Sequence, residues 1–185
     1  MPVCNARRLS LSFGLVASLC ASSAFAEQAG SAYADVAEVR EELVRVLSCE
    51  ADRDAFMRMG TALSDLHYGV PAAPAFAGWK KMGDAGFVIE FAMPETIEMQ
   101  GHAVGSVMAA GEGLLAVLDG DWVEPLSKEL GVAAGDNAFT RHIRTRLVRS
   151  DDLGDGVRID VVQTVSAITT HPGKTLVGCE YRLAY

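Results

Sequence analysis

Two cysteines constrain the fold of this chain more than any other feature of its sequence. Of four cysteines, Cys4 and Cys20 lie in an N-terminal leader, while Cys49 and Cys179 follow it. Once the leader is removed, a single intramolecular disulfide is possible. Neither remaining cysteine belongs to a Cys-x-x-Cys motif or adjoins a histidine, as reactive and metal-binding thiols commonly do. We therefore predict a structural Cys49–Cys179 bridge that closes a loop of about 130 residues.

Cys179 lies in a segment with the two-residue repeat of a β-strand. From Lys174 to Tyr185, apolar residues alternate with polar or small ones, and Cys179 is on the apolar side. This period predicts a strand with one buried face. The bridge is then expected to hold a helical hairpin around Cys49 against a sheet.

The first 26 residues have the composition of a secretory signal peptide. Arg7 and Arg8 precede a largely apolar run from Leu9 to Ala21, and the segment closes on Ala24-Phe25-Ala26. This order is typical of export signals, and the apolar run is too short to span a bilayer as a stable helix. We predict cleavage after Ala26, a periplasmic or secreted protein without a transmembrane segment, and one domain over residues 27–185.

The mature chain is strongly acidic. Without the leader it carries 14 basic and 24 acidic residues, a net charge of −10. Such a chain repels nucleic-acid phosphates and anionic lipid, so nucleic acid is not an expected partner. The oligomeric state does not follow from the sequence.

Helical periodicity occupies the start of the mature chain. Apolar residues recur every three or four positions from Val36 to Leu47, and the charged residues between them, including Glu42, are expected on the solvent side. A second stripe runs from Ala55 to Leu66, and Asp52 can cap its first turn. The pattern predicts a helical hairpin with its turn near Cys49.

From Gly86 onward the period changes to that of strands. Pro94 is expected to end the first strand or to place it at an edge of the sheet. A short helix is predicted over Trp122–Leu130, with Asp121 as its N-cap. Two long strands, 139–149 and 157–168, should form a hairpin around a turn at 150–156, with Arg146 opposite Asp160. The predicted fold is α+β: an N-terminal helical hairpin packed on a mainly antiparallel sheet of about six strands, with one short additional helix.

The strand over 139–149 carries the main candidate binding site. His142, Arg144 and Arg146 are expected to point to one side of this strand, and Arg141 and Arg149 flank them. On an acidic protein, these basic groups could receive an acidic protein or a small anionic ligand. In the alternative interpretation, Asp160 and Glu180 neutralise these cations within the sheet. Arg149 lies at the end of the same strand. The basic stripe, as we define it, consists of Arg141, His142, Arg144 and Arg146.

A second candidate surface lies in the irregular segment 67–84, which is rich in proline and glycine and is expected to be a loop. Trp79 is followed directly by Lys80 and Lys81, and aromatic and basic side chains in an ordered loop are typical of a recognition surface. In the alternative interpretation, Trp79 and Phe76 fill the end of the core.

No motif identifies catalytic residues, metal ligands or a cofactor site. The four histidines are scattered, and the patterns typical of hydrolases, zinc enzymes and phosphate loops are missing from the sequence. We therefore assign no catalytic residue, metal or cofactor. The histidines are His67, His102, His142 and His171.

These observations favour an exported, non-enzymatic binding module for an acidic protein or anionic ligand, of which an inhibitor or immunity protein would be one type. A small periplasmic hydrolase with a histidine-dependent site is the first alternative. A structural accessory protein of the cell envelope is the second.

The leader supplies the first testable prediction. Protein from an exporting bacterial host should be recovered outside the cytoplasm with the intact mass of residues 27–185, because the signal is cleaved after Ala26. Mass spectrometry of cell fractions measures this directly. Recovery of the uncleaved chain from the cytoplasm alone would contradict the prediction.

Overall fold

The computed structural model describes residues 33–70, 74–84, 88–135, 142–167 and 172–185. Within these ranges it confirms the α+β class, with two N-terminal helices, a short third helix and an antiparallel sheet of eight strands rather than six. The elements in chain order are α1 (Val36–Leu47), α2 (Arg53–Tyr68), a 3-10 turn (Pro74–Phe76), β1 (Lys80–Asp84), β2 (Val88–Met99), β3 (His102–Ala110), β4 (Gly113–Asp119), α3 (Val123–Leu130), β5 (Ala133–Ala134), β6 (Ile143–Gly154), β7 (Val157–Ser166) and β8 (Lys174–Ala184).

The C-terminal strand lies at the centre of the sheet. The strand order is β1-β2-β3-β4-β8-β7-β6-β5, and each neighbouring pair is antiparallel. β8 therefore joins one half of the sheet, β1 to β4, to the other half, β5 to β7. Gly178 allows the close approach of β8 to β4, because a Cβ atom here would lie 2.3 Å from the carbonyl oxygen of Leu114.

β8 is buried more completely than its alternating sequence predicts. Val177, Cys179 and Tyr181 are buried on the side of the helices, as expected. Leu176, on the opposite side, is also buried, within an apolar cluster that includes Leu115 of the neighbouring strand β4. The expectation of a single buried face is therefore wrong for the first half of the strand, because its central position surrounds it with apolar neighbours.

α1 and α2 pack on one face of the sheet. Leu43 and Leu47 of α1 and Met59 and Leu63 of α2 are almost fully buried in the same cluster as Val177 of β8. The apolar stripes that predict the helices therefore form the core with the sheet. Among the described residues, no helix is long and apolar enough to cross a membrane.

The helix ends follow their sequence signals except at the start of α3. The Asp52 carboxylate caps α2 by accepting a hydrogen bond from the backbone N–H of Ala55 at 2.8 Å. The prediction of Asp121 as the N-cap of α3 is wrong, because Trp122 occupies that position without a side-chain capping bond. The Trp122 backbone N–H donates to the Thr175 hydroxyl at 2.8 Å, which ties the helix start to β8.

The strands at both edges of the sheet are missed by the sequence pattern. β1 occupies part of the segment that is expected to be a loop, and β5 has only two residues. Edge strands are often short or lysine-containing, so they lack a clear apolar alternation. β2 also continues through Pro94 instead of ending there, and its described pairing with β1 stops at Ala92, before the proline. Its pairing with β3 is interrupted between Ala92 and Ile97, which accommodates a residue without an N–H group.

The hairpin of β6 and β7 has a different register from the predicted one. β6 continues to Gly154, so the turn is shorter than the expected segment 150–156. Arg146 lies opposite Gln163, and its predicted pairing with Asp160 is wrong. The longer strand and its two register shifts account for the difference, because each shift changes which residues face one another.

The structure joins Cys49 to Cys179, as the sequence predicts, with their Cα atoms 5.3 Å apart. Cys49 lies in the turn between α1 and α2 with a φ of 63°, and both cysteines are buried. Nearby, the Gln163 side-chain amide donates a hydrogen bond to the Gly178 carbonyl at 2.8 Å. The disulfide thus connects the helical turn to the central strand.

Reduction of this disulfide should weaken the fold. In the chain-entropy model, a cross-link over a loop of about 130 residues contributes about 5 kcal/mol to the free energy of unfolding. We expect a loss of about this size when urea denaturation is measured with reductant instead of without it. The Cys49→Ala, Cys179→Ala variant should be equally stable under both conditions. Equal stability of the oxidised and reduced natural chain would contradict the prediction.

Candidate functional site

The basic stripe is only partly available for binding. Arg144 and Arg146 lie on the same face of β6, because they pair with alternate residues of β7. His142 is exposed just before the strand begins. Arg141 lies outside the described residues. Arg144 and Arg146 therefore share a face of the strand, as the sequence predicts, but each of them interacts with different neighbours.

Arg144 is neutralised by an acidic residue of α3. Its guanidinium donates two hydrogen bonds to the Glu124 carboxylate, one of them 2.9 Å long. This hydrogen bonding lowers the pKa of the Glu124 carboxyl below its ordinary value. A partner that binds Arg144 would therefore have to displace Glu124.

Asp160 and Glu180, the expected neutralising residues, have other partners. Asp160 accepts a hydrogen bond from the Ser150 hydroxyl and another from Arg158, and these interactions lower its pKa. Glu180 pairs with Arg182 at 2.8 Å. The proposed neutralisation therefore occurs at Arg144, but through the helix rather than through these strand residues.

Arg149 stabilises the turn that contains Cys49. Its guanidinium donates to the carbonyl of Cys49 at 2.7 Å and also to the carbonyl of Ala51. It further pairs with the Asp151 carboxylate at 2.9 Å. This arginine links β6 to the loop between α1 and α2, which indicates a structural role.

Arg146 is the arginine of the stripe that makes no hydrogen bond or ion pair with another described residue, and it is exposed. It lies beside the end of α3, where a Cβ atom on Gly131 would come 3.9 Å from its Cδ atom. Within the described part of the stripe, Arg146 and His142 therefore remain as exposed groups without such a bond.

Trp79, the aromatic residue of the second candidate surface, belongs to the core and also lines a groove. It is 9% exposed, and its ring lies 5.1 Å from that of Phe76. The interpretation in which Trp79 and Phe76 fill the end of the core therefore applies, and a role of Trp79 in recognition stays a prediction. The Trp79 groove, as we name it, is a shallow surface groove with about 310 Å³ of empty space, which includes open solvent at its mouth. It is lined by Val36, Val39, Arg40, Leu43, Trp79, Met93, Pro94, Glu95 and Ile97.

Arg40 lies at this groove between α1 and β2. Its guanidinium donates to the Thr96 carbonyl at 3.3 Å and lies 3.7 Å from the Glu95 carboxylate. Glu95 is 77% exposed, so this ion pair is largely open to solvent. The groove therefore combines apolar walls with a solvent-accessible cation.

Lys80 and Lys81 lie in β1 rather than in a loop, and both are exposed. They pair with consecutive residues of β2, so their side chains point to opposite faces of the sheet. The Lys81 ammonium lies 3.4 Å from Nδ1 of His67. The strand thus presents basic groups on both faces directly after Trp79.

A buried polar cluster in the helical hairpin is missed by the sequence. Glu42 is 4% exposed instead of facing solvent. It accepts hydrogen bonds from Arg58, at 3.0 Å for the Nε–Oε1 pair, and from the Tyr33 hydroxyl. Burial, together with Glu42, raises the pKa of Tyr33 above its ordinary value. Nothing in the spacing of α1 distinguishes Glu42 from its exposed neighbours.

The described histidines form no shared centre. His67 is near Lys81, the ring of His102 lies 4.5 Å from that of Trp122, and His142 is exposed. His171 lies outside the described residues. Within the described ranges, no three residues of the types His, Cys, Asp and Glu are grouped as metal ligands.

No family model, curated protein or solved structure matches this chain.

The different roles of the arginines can be tested by stability. Arg149→Met should lower the free energy of unfolding by about 2 kcal/mol, because two carbonyls of the buried turn lose their donor. Arg146→Met should change it by less than about 0.5 kcal/mol, since the exposed side chain has no such bond. Urea denaturation of both variants measures the difference. Equal losses would contradict a structural role specific to Arg149.

Proposed function

We propose that this chain is an exported, non-enzymatic binding module that recognises an acidic protein at the Trp79 groove. One observation carries the proposal: an apolar groove adjoins a strand with exposed basic residues. Trp79 lines the groove, and Lys80 and Lys81 follow it in the sequence. An inhibitor or immunity protein, which neutralises a toxin by binding it, would use a surface of this kind.

The groove offers an anchor position for an apolar side chain of the partner. Burial of one aliphatic or aromatic side chain contributes about 1.5–3 kcal/mol to binding before the costs of association. The wall at Trp79 is held by its contact with Phe76. Because this wall is already formed, binding there requires little ordering of the side chain.

The charges near the groove favour an acidic partner. Arg40 lies at the groove, and its present neighbour Glu95 can be replaced by a carboxylate of the partner. Lys80 and Lys81 extend the positive region. The predicted mature chain has a net charge of −10, so an acidic partner is repelled elsewhere and attracted here.

The proposal is tested by capture with the mature domain as bait and a photo-crosslinking residue at position 36. Val36 is 47% exposed and lines the groove. Without irradiation, we expect a stoichiometric acidic protein from periplasmic or culture extract to be retained and then released by moderate salt. After irradiation, the same protein should be crosslinked to the bait and should no longer be released by salt. In bait without the crosslinking residue, Val36→Glu, and separately Lys80→Glu with Lys81→Glu, should reduce salt-sensitive capture at least tenfold.

Matched variants control for charge and exposure. Met57→Glu alters an apolar side chain of similar exposure on α2, and Arg53→Glu with Lys128→Glu makes the same change in net charge as the lysine pair. Both controls should retain capture. Capture that is insensitive to the groove variants, or that is lost instead with Arg146→Glu, would overturn the groove as the binding site.

A further inference from the structure

We infer that β1 binds an extended acidic segment of the partner by adding it to the sheet as a further strand. The inference rests on the proposed function. It specifies that the partner bound at the Trp79 groove contributes an extended segment, which pairs with the neighbouring strand β1. It concerns Lys80–Asp84, the strand at one end of the sheet order.

β1 has one neighbouring strand, β2, among the described residues. An edge strand directs part of its backbone N–H and C=O groups away from the sheet, where they can pair with another chain. Lys80 and Lys81 are exposed, and Met82 is 62% exposed. Within the described part of the chain, the outer side of β1 is therefore open to the mode of recognition in which a peptide extends a sheet.

The charges of β1 decide which kind of strand fits. Antiparallel pairing over the whole of β1 with a second copy would place Lys80 opposite Asp84 and Lys81 opposite the uncharged Gly83, so only one of the two lysines would face a carboxylate across the strands. An acidic strand would instead place carboxylates near Lys80 on one face and near Lys81 on the other. Charge complementarity thus selects an acidic segment of a different protein over a second copy of this chain.

The neighbourhood of Lys81 adds an aromatic contact on one face. The Lys81 ammonium lies 3.4 Å from the His67 ring, whose centroid is 4.5 Å from that of Tyr68. Tyr68 is 77% exposed at the end of α2. A segment with an acidic residue near Lys81 and an apolar residue next on the same face would contact both groups.

The same features could serve only to protect the edge from aggregation. β1 is short, contains two lysines and has a register shift between Lys81 and Gly83, all of which are devices that discourage unwanted pairing. A test must therefore measure backbone pairing itself, because attraction of an acidic ligand to the lysines would occur in either case.

Amide hydrogen exchange provides this measurement. The probe is an eight-residue peptide with blocked ends and the sequence Glu-Glu-Val-Val repeated twice, which places glutamate and valine on both faces of an extended strand. Its control carries N-methyl groups at every second residue, on the edge that faces β1. We expect the unmodified peptide to slow exchange of the 80–84 amides at least tenfold and the methylated peptide to leave it unchanged. Lys80→Arg with Lys81→Arg should keep the protection, whereas glutamate at both positions should abolish it.

Each outcome decides one of the two ideas. Strand addition would be overturned if the two peptides had equal effects on exchange. It would also be overturned if β1 gained no protection at a peptide concentration that saturates binding or, failing that, at the solubility limit. Protection of the edge from aggregation would then be the role of the lysines. If capture of the acidic protein still depends on Val36, Lys80 and Lys81, the proposed function survives that result. If β1 is protected by the unmodified peptide but capture ignores Val36, strand addition stands and the groove is not the anchor.

Discussion

The connection between the helical turn and the central strand is the interaction on which the rest of this structure depends. The Cys49–Cys179 bridge joins positions 130 residues apart, and β8 lies between the two halves of the sheet. Arg149 donates to carbonyls of the same turn from β6. The turn is thus held covalently to the middle of the sheet and by hydrogen bonds to a strand near its edge, so the helices cannot shift without disturbing both halves.

This arrangement explains why an arginine-rich strand is not a simple basic surface. Arg149 is engaged by the turn, and Arg144 is engaged by Glu124 of α3. Through the hydrogen bonds that they donate, these two arginines of β6 fix the positions of α3 and of the turn between α1 and α2. The Trp79 groove has a different cation, Arg40, whose ion pair with Glu95 is largely open to solvent, and the exposed lysines of β1 follow Trp79 in the sequence.

The sequence predicts those features that depend on local pattern or on simple counting. Two cysteines allow one bridge, and the apolar period predicts both helices of the hairpin. The edge strands escape prediction because β1 and β5 lack the alternation of a half-buried strand. The role of Glu42 also escapes it, since burial of that carboxylate depends on Arg58 from the next helix and on Tyr33. The fate of each arginine similarly depends on register and on partners up to 100 residues away.

The positions of the bridge and the groove allow binding to be separated from stability. Val36 and Arg40 of the groove lie in the first half of α1, whereas Cys49 follows its last residue. A helix of 12 residues is about 18 Å long, and substitutions separated by more than about 7–10 Å usually have additive effects. Because exposed groove positions at one end of the helix do not contact the bridge at the other, a loss of binding at Val36 can be attributed to the surface itself. Substitutions in the turn that contains Cys49 should instead lower stability, and they would alter the groove only by moving the whole of α1.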